Sequence, residues 1–418
     1  MDVRPGYKQT EVGVIPRDWN VVPFGRLFAF TNGVNADKTA YGKGVRFINV
    51  LEPISYSHIY GPEIPGRVEI SGSVASAYSV KLGDVVFNRT SETDSELGLA
   101  AVYVGDEQVV FGGFVIRGRP IDDTFDPKYS GYALRAKMIR SQIIPMGQGV
   151  VRANIGQQNL RRVLAAVPPK VEQRAIASAL SDVDGLLAGL DRLIVKKRDL
   201  KQAVMQQLLT GKTRLAGFKG KWEVRSLGSL GTWKGGMTPS MQNPGYWEGG
   251  NFPWISSGDV KVSRMADSSE HVTSCAVRDG AAVVVPANSI ILVTRSGILR
   301  KYLPVALTMR PMAINQDIKA LIPDETVSPD FLLHALLGCG DEIRASCLKA
   351  GTTVESVEFS WLKACIIPVP PPDEQVALAA ALSDMDAELA ALEARRDKTR
   401  VLKQGMMQEL LTGRTRLV

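Results

Sequence analysis

Residues 167–215 read VPPKVEQRAIASALSDVDGLLAGLDRLIVKKRDLKQAVMQQLLTGKTRL, and residues 369–417 read VPPPDEQVALAAALSDMDAELAALEARRDKTRVLKQGMMQELLTGRTRL. Laid over one another without a gap, at an offset of 202, they agree at 29 of 49 positions, where unrelated segments would share only a few. Glu172-Gln173 falls on Glu374-Gln375, Leu180-Ser181-Asp182 on Leu382-Ser383-Asp384, and Leu208-Leu209-Thr210-Gly211 on Leu410-Leu411-Thr412-Gly413. A fainter echo precedes each copy: Trp19, Val21, Gly25 and Leu27 answer Trp222, Val224, Gly228 and Leu230 at an offset of 203. Between the echoes, near 28–166 and 231–368, the likeness almost vanishes. The chain is therefore ordered A–B–A′–B′: a first globular domain over 1–166, a central repeat helix over 167–211, a second domain over 212–368 and a C-terminal repeat helix over 369–418.

Each B copy carries the signals of one long helix. A Pro-Pro pair stands before it, where proline is tolerated, and Glu172 or Glu374 sits in the first turn, facing the positive end of the helix dipole. Apolar residues follow at heptad spacing: Ile176, Leu180, Val183, Leu187, Leu190 and Ile194 in one copy, Leu378, Leu382, Met385, Leu389 and Leu392 in the other. Gly211 and Gly413 supply the stop. Such a helix is roughly 60 Å long at about 1.5 Å per residue, and its apolar stripe needs a partner. Charge selects the direction of pairing. Asp182, Asp184, Asp384 and Asp386 lie in the first halves, while Arg198, Lys201, Lys398 and Lys403 lie in the second. Antiparallel pairing sets acid beside base. The expected fold class is α+β: two mixed α/β domains separated by two long helices that form an antiparallel coiled coil, with a pseudo-twofold internal repeat.

Composition bounds the rest. The 418 residues are 45% hydrophobic and 22% charged, enough apolar material for more than one core. No apolar run approaches the ~18 residues of a membrane span, and the opening residues lack an apolar leader, so a soluble cytoplasmic protein is expected. Cysteines 275, 339, 347 and 365 show no Cys-x-x-Cys spacing, which argues against a disulfide framework or a zinc knuckle. A net charge of +7 and a pI near 9.1 favour a polyanionic partner.

Familiar catalytic patterns are missing. Gly211-Lys212-Thr213 resembles the end of a phosphate loop, but Gln206 stands where the earlier glycine is required. Asn243-Pro244-Gly245-Tyr246 approaches a methyltransferase motif, yet Gly245 replaces its second proline. The Asp-x-Lys spacings at 259–261 and 317–319 are common by chance, and His58, His271 and His334 match no metal or triad pattern. What remains is recognition. In the A segments, the stretches Val80 to Phe87 and Ala287 to Val293 read as turn-then-strand elements running into polar basic tips, Asn88-Arg89-Thr90-Ser91 and Thr294-Arg295-Ser296-Gly297.

At this point the sequence resembles the DNA specificity subunits of type I restriction-modification systems, over essentially the whole chain. The carriers are Tyr7 to Pro16 leading to Trp19, and the two Pro-Pro…Glu-Gln helix starts. The second domain adds Gly235-Gly236-Met237-Thr238-Pro239-Ser240, Tyr246-Trp247, Pro253 to Val260, and Asn315-Gln316. The first domain departs from that pattern, offering only Thr31-Asn32-Gly33 and Arg46 to Val50. The resemblance implies two target recognition domains, each reading half of a bipartite, asymmetric site in double-stranded DNA. It implies helices that set the spacer and dock two modification subunits, through Ile176, Leu180, Leu187, Leu190, Leu378, Leu382, Leu389 and Leu392. It implies no cofactor in this chain: S-adenosylmethionine belongs to the modification subunits, which methylate adenine at N6, and ATP and Mg²⁺ to any restriction subunit. Candidate DNA contacts are Arg89, Thr90, Arg295, Ser296 and Gln316, whose amide suits adenine; Trp254 is expected in a core. The rival readings are a coiled-coil assembly scaffold that does not read DNA and a hidden nuclease or methylase.

Overall fold

The computed structural model describes residues 4–149, 152–349 and 354–417. The two repeats form helices Lys170–Leu208 and Pro372–Leu410, 39 residues each. Both stop before a glycine in the left-handed region, Gly211 (φ +70°) and Gly413 (φ +67°). Compactness groups the chain into two units, residues 1–190 with 395–418 and residues 191–394, rather than into four consecutive segments. Each unit combines one globular module with parts of both helices.

Within each unit the helical parts run antiparallel. In the first, Lys403 Nζ lies 2.5 Å from Asp184. In the second, Lys201 pairs with Asp386, Arg198 with Glu393, and Lys197 with Glu388 at 2.6 Å. Asp182 and Asp384 do not join in, contrary to expectation; both are exposed. Two residues along a helix turn a side chain by roughly 200°, so only one aspartate of each Asp-x-Asp can face the seam. Such half-exposed pairs add little stability and chiefly select direction.

The modules differ in sequence but share one strand plan. The first has a five-stranded sheet in the order Phe28–Asn32, Val115–Pro120, Val85–Asn88, Ala100–Tyr103, His58–Ile59. The second repeats it as Gly231–Gly235, Ile318–Pro323, Ile290–Val293, Val305–Thr308, Arg264–Met265. In both, only the last pairing is parallel. A four-stranded sheet accompanies each, again with matched order and directions. The turn before the central strand needs a positive φ in both modules. Gly83 (φ +85°) meets it in one and Asn288 (φ +62°) in the other, asparagine being among the few side chains that tolerate this region.

The module–helix junctions explain the strongest repeat identities. Glu172 is fully buried and accepts from Trp19 Nε1 at 2.8 Å and from Arg416 at 2.5 and 2.9 Å. Glu374, equally buried, accepts from Trp222 Nε1 at 2.9 Å and from Arg214 at 2.9 and 2.5 Å. These glutamates do more than face a helix dipole; each ties a module's entry strand, a helix start and the segment after the opposite helix. The neighbouring glutamines act alike. Gln173 donates to Thr124 O and Pro168 O and accepts from Asp126 N, while Gln375 donates to Thr326 O and Pro370 O and accepts from Ser328 N.

Below each clamp, apolar residues seal the contact. Ile176 and Leu180 are buried with Trp19, Tyr129 and Leu410, and Leu378 and Leu382 with Phe331, Leu336 and Leu208. These four were expected to serve as spacer and docking positions. Their own modules cover them completely, so they offer no surface to a partner. Leu190 and Leu389 are also buried, and Leu187 and Leu392 partly exposed. Deeper still, Tyr132 donates to Asp184 at 2.8 Å in the first unit. In the second, His334 lies 3.1 Å from Ser383 Oγ and 4.0 Å from Asp386.

Glu172→Ala leaves the Trp19 indole N–H and Arg416 without their buried acceptor, and should cost about 3 kcal/mol or more in chemical denaturation. Burial lowers the His334 pKa to about 4, outweighing the neighbouring Asp386 carboxylate. The unfolded chain therefore binds a proton that the folded chain refuses as pH falls from about 6.5 to about 4. Stability held above that window is lost through it, and the denaturation midpoint should fall less steeply with pH in His334→Gln than in the wild type.

Candidate nucleic-acid interface

The two central strands end on the candidate tips, and backbone pairing fixes how they correspond. Arg89 N donates to Phe114 O and Thr294 N to Asp317 O; Ile155 N donates to Arg89 O and Val357 N to Thr294 O. Arg89 therefore occupies the place of Thr294, Thr90 that of Arg295, and Ser91 that of Ser296. The sequence grouped Arg89 with Arg295 as like tip residues; they are one residue out of step. Because side chains alternate along an extended chain, the two arginines serve opposite faces of their matched tips.

Arg295 is exposed and its side chain has no hydrogen bond or ion pair among the described residues. Ser296 Oγ caps the following turn, accepting from Ile298 N at 3.5 Å. Arg89 is half-buried and donates to Gly113 O at 3.3 Å. Thr90 lines a concavity of about 350 Å³ with Ser91, Glu92, Glu96 and Arg152. Glu92 is already paired with Arg152 at 2.7 Å, and the carboxylates make this face less suited to phosphate than the others.

Gln316 is exposed, and its Oε1 accepts from Thr238 Oγ1 at 2.5 Å, which braces the Gly-Gly-Met-Thr-Pro-Ser loop and leaves the amide nitrogen without a partner among the described residues. That loop approaches the sheet closely: a Cβ on Gly236 would stand 2.1 Å from Ile314 O. Gly33 makes the same approach to Gly112 O, also at 2.1 Å, so Thr31-Asn32-Gly33 is the first module's version of the loop. Here Gly113 takes the place of Gln316 and Asn35 that of Thr238. Trp254 is buried as expected, donating from Nε1 to Met237 O at 3.2 Å and packing edge-on to Trp247.

The motifs set aside in the sequence have structural uses. Asn243 Oδ1 caps Gly245 N in a short turn. Burial raises the Asp259 pKa, but donors from Ser256 and Ser269 hold it below the usual carboxylate range. Cys347 and Cys365 lie 3.3 Å apart as free thiols. Among the described residues no group of three or more His, Cys, Asp or Glu is arranged to hold a metal ion, and no helix is long and apolar enough to cross a membrane.

Residues 219–401 match the model of the type I restriction modification DNA specificity domain. A type I restriction enzyme specificity subunit of Escherichia coli is 38% identical over 174 residues, covering 41% of this chain and 43% of that one. The MjaX specificity subunit of Methanocaldococcus jannaschii is 25% identical over 431 residues, covering 98% and 97%. Among solved structures, the S subunit from M. genitalium covers 98% of both chains with a TM-score of 0.58 and 16% identity. A chain from a study of assembly and conformational transition in the type I system covers 96% of this chain and 99% of its own, with a TM-score of 0.63 and 18% identity. These likenesses give the fold of two modules and long helices. They run through the full chain, although the most identical segment spans under half of the E. coli protein.

Among the described residues, Arg295 carries an exposed charge at its tip with no competing side-chain partner. Arg295→Ala should weaken duplex binding by ~1–3 kcal/mol without altering the unfolding midpoint, and titration of wild type and variant with one duplex measures the difference.

Proposed function

Because the chain belongs to the type I restriction-modification DNA specificity family, we propose that it is the non-catalytic subunit that reads a bipartite site in double-stranded DNA. Each module reads one half-site. The observation that supports this most directly is one framework used twice with different exposed tips. Thr90 answers Arg295, Gly113 answers Gln316, and Asn35 answers Thr238, while the sheets, turns and clamps beneath are matched. A protein selected only to assemble partners has no evident need for two such faces; a reader of an asymmetric sequence does.

The long helices set the separation of the half-sites and dock two modification subunits. The surface for docking lies away from Ile176, Leu180, Leu378 and Leu382. Exposed Leu186, Val195, Leu200, Val401 and Leu402 supply apolar contact area on the helices instead. S-adenosylmethionine would be held by the modification subunits, and ATP with Mg²⁺ by a restriction subunit where the system has one. The complex works in the cytoplasm, where the host DNA lies.

Purified alone, the chain should neither methylate nor cleave DNA when given Mg²⁺ and S-adenosylmethionine. Adding its modification subunit should produce N6-methyladenine at one bipartite sequence, read by methylation-aware sequencing. Methyl transfer by the single chain would overturn the proposal.

A further inference from the structure

The internal repeat lets each exposed position of one module be compared with its structural counterpart in the other. The short helices Gln157–Arg162 and Phe359–Ala364 occupy matched places. Leu160 and Leu362 are fully buried in both, and a Cβ on Gly25 or Gly228 would stand 3.2 Å from the backbone oxygen of Arg161 or Lys363. The frame is held, but the outward positions change character: Gln157, Asn159 and Arg161 become Phe359, Trp361 and Lys363.

In the first module, Asn32, Arg89, Gln148, Gln157, Gln158 and Arg161 line an open concavity of about 640 Å³ that no carboxylate enters among the described lining residues. Gln157 Nε2 donates to Asn32 Oδ1 at 3.0 Å. That bond leaves the Gln157 Oε1 acceptor and the Asn32 Nδ2 donor with no protein partner among the described residues, and turning both amides together only exchanges their roles. That set complements the major-groove edge of adenine, which presents the N7 acceptor beside the N6 donor. Arg89 donates to a single backbone oxygen, and the Arg161 guanidinium, 6.0 Å over the Phe30 ring, has no hydrogen bond or ion pair among the described residues. Both guanidiniums can take phosphate oxygens.

The second module cannot make this arrangement. Gly235 stands in the place of Asn32, beside the ammonium of Lys319, and Phe359 in that of Gln157, with Lys319 and Lys363 at 5.8 and 5.0 Å from its ring centre. Two amides have been exchanged for an aromatic–cation cluster on one backbone.

Resting on the DNA-reading function given above, we propose that the coupled amides of Asn32 and Gln157 read an adenine in the half-site of the first module, while Arg89 and Arg161 hold flanking phosphates. The second module, lacking the pair, reads its half-site by other contacts.

The test uses the complex assembled with its modification subunits. Methylation of a random duplex library, followed by sequencing, defines both half-sites and hence a cognate duplex. Asn32→Ala/Gln157→Ala should relax one A·T position in one half-site, lower cognate affinity about 10- to 100-fold, and leave affinity for a scrambled duplex unchanged. Correct reading of the other half-site certifies that the variant is folded. Arg161→Ala should weaken cognate and scrambled duplexes by the same factor and flatten the salt dependence of binding. An unchanged methylated sequence and cognate-to-scrambled ratio in the double variant, or relaxation at a G·C position, would overturn the assignment while leaving DNA reading intact. A wild-type complex with no sequence-selective product would instead overturn the function on which it rests.

Discussion

Two buried carboxylates organise this molecule. Glu172 and Glu374 have no exposed surface, and each is satisfied by one indole N–H and one arginine fork. A buried charge is costly unless it is paired and hydrogen-bonded, so the partners cannot drift independently. Each glutamate begins a long helix, each tryptophan lies just before the strand that pairs with the one leading into that helix, and each arginine follows the end of the opposite helix. Each ion thus fixes three chain segments; Trp19, Glu172 and Arg416 are all more than a hundred residues apart, and Glu374 lies more than a hundred residues from both Arg214 and Trp222. The adjoining Gln173 and Gln375 extend the hold to the loops before helices Pro127–Ala133 and Pro329–Gly338.

With the ends held, helix pairing follows from electrostatics and side-chain direction. Lys403 meets Asp184 and Lys201 meets Asp386, and the same two aspartates face the modules through Tyr132 and His334. Each aspartate thus serves both a helix–helix and a module–helix contact, which accounts for the retention of Asp184 and Asp386 in the two copies. The upper heptad positions were absorbed into module cores, because a module seated on the helix start covers the stripe there before any partner can.

Restraint beneath the tips leaves the tips free to vary. Central strands such as Val85–Asn88 and Ile290–Val293 are wholly buried, their entry turns use Gly83 and Asn288, and close approaches at Gly33 and Gly236 bring the loops to the same height over the sheet. Substitution at Thr90 or Arg295, Gly113 or Gln316, Gln157 or Phe359 changes what a partner meets without asking the backbone to move. That separation of frame from face suits a protein whose two halves must read different things.

The sequence by itself determined the repeat, the two helices with their proline starts and glycine stops, the antiparallel direction and the strand-then-tip elements. All of these are local or periodic signals, carried by residues near one another in the chain or related by a constant offset. It also placed Trp254 correctly in a core. Only the tertiary structure decided which acidic residues face the seam, that Ile176, Leu180, Leu378 and Leu382 belong to module cores, and that the diverged modules share one strand order. It alone set Thr90, not Arg89, opposite Arg295, and brought Asn32 to Gln157 across 125 positions of chain. The Trp–Glu–Arg clamp lay in plain sight as Trp19, Glu172 and Arg416 beside Trp222, Glu374 and Arg214, three separate identities in the repeat. Nothing in a linear pattern says that such residues meet, because contact between distant segments is set by packing and by the need to neutralise a buried charge.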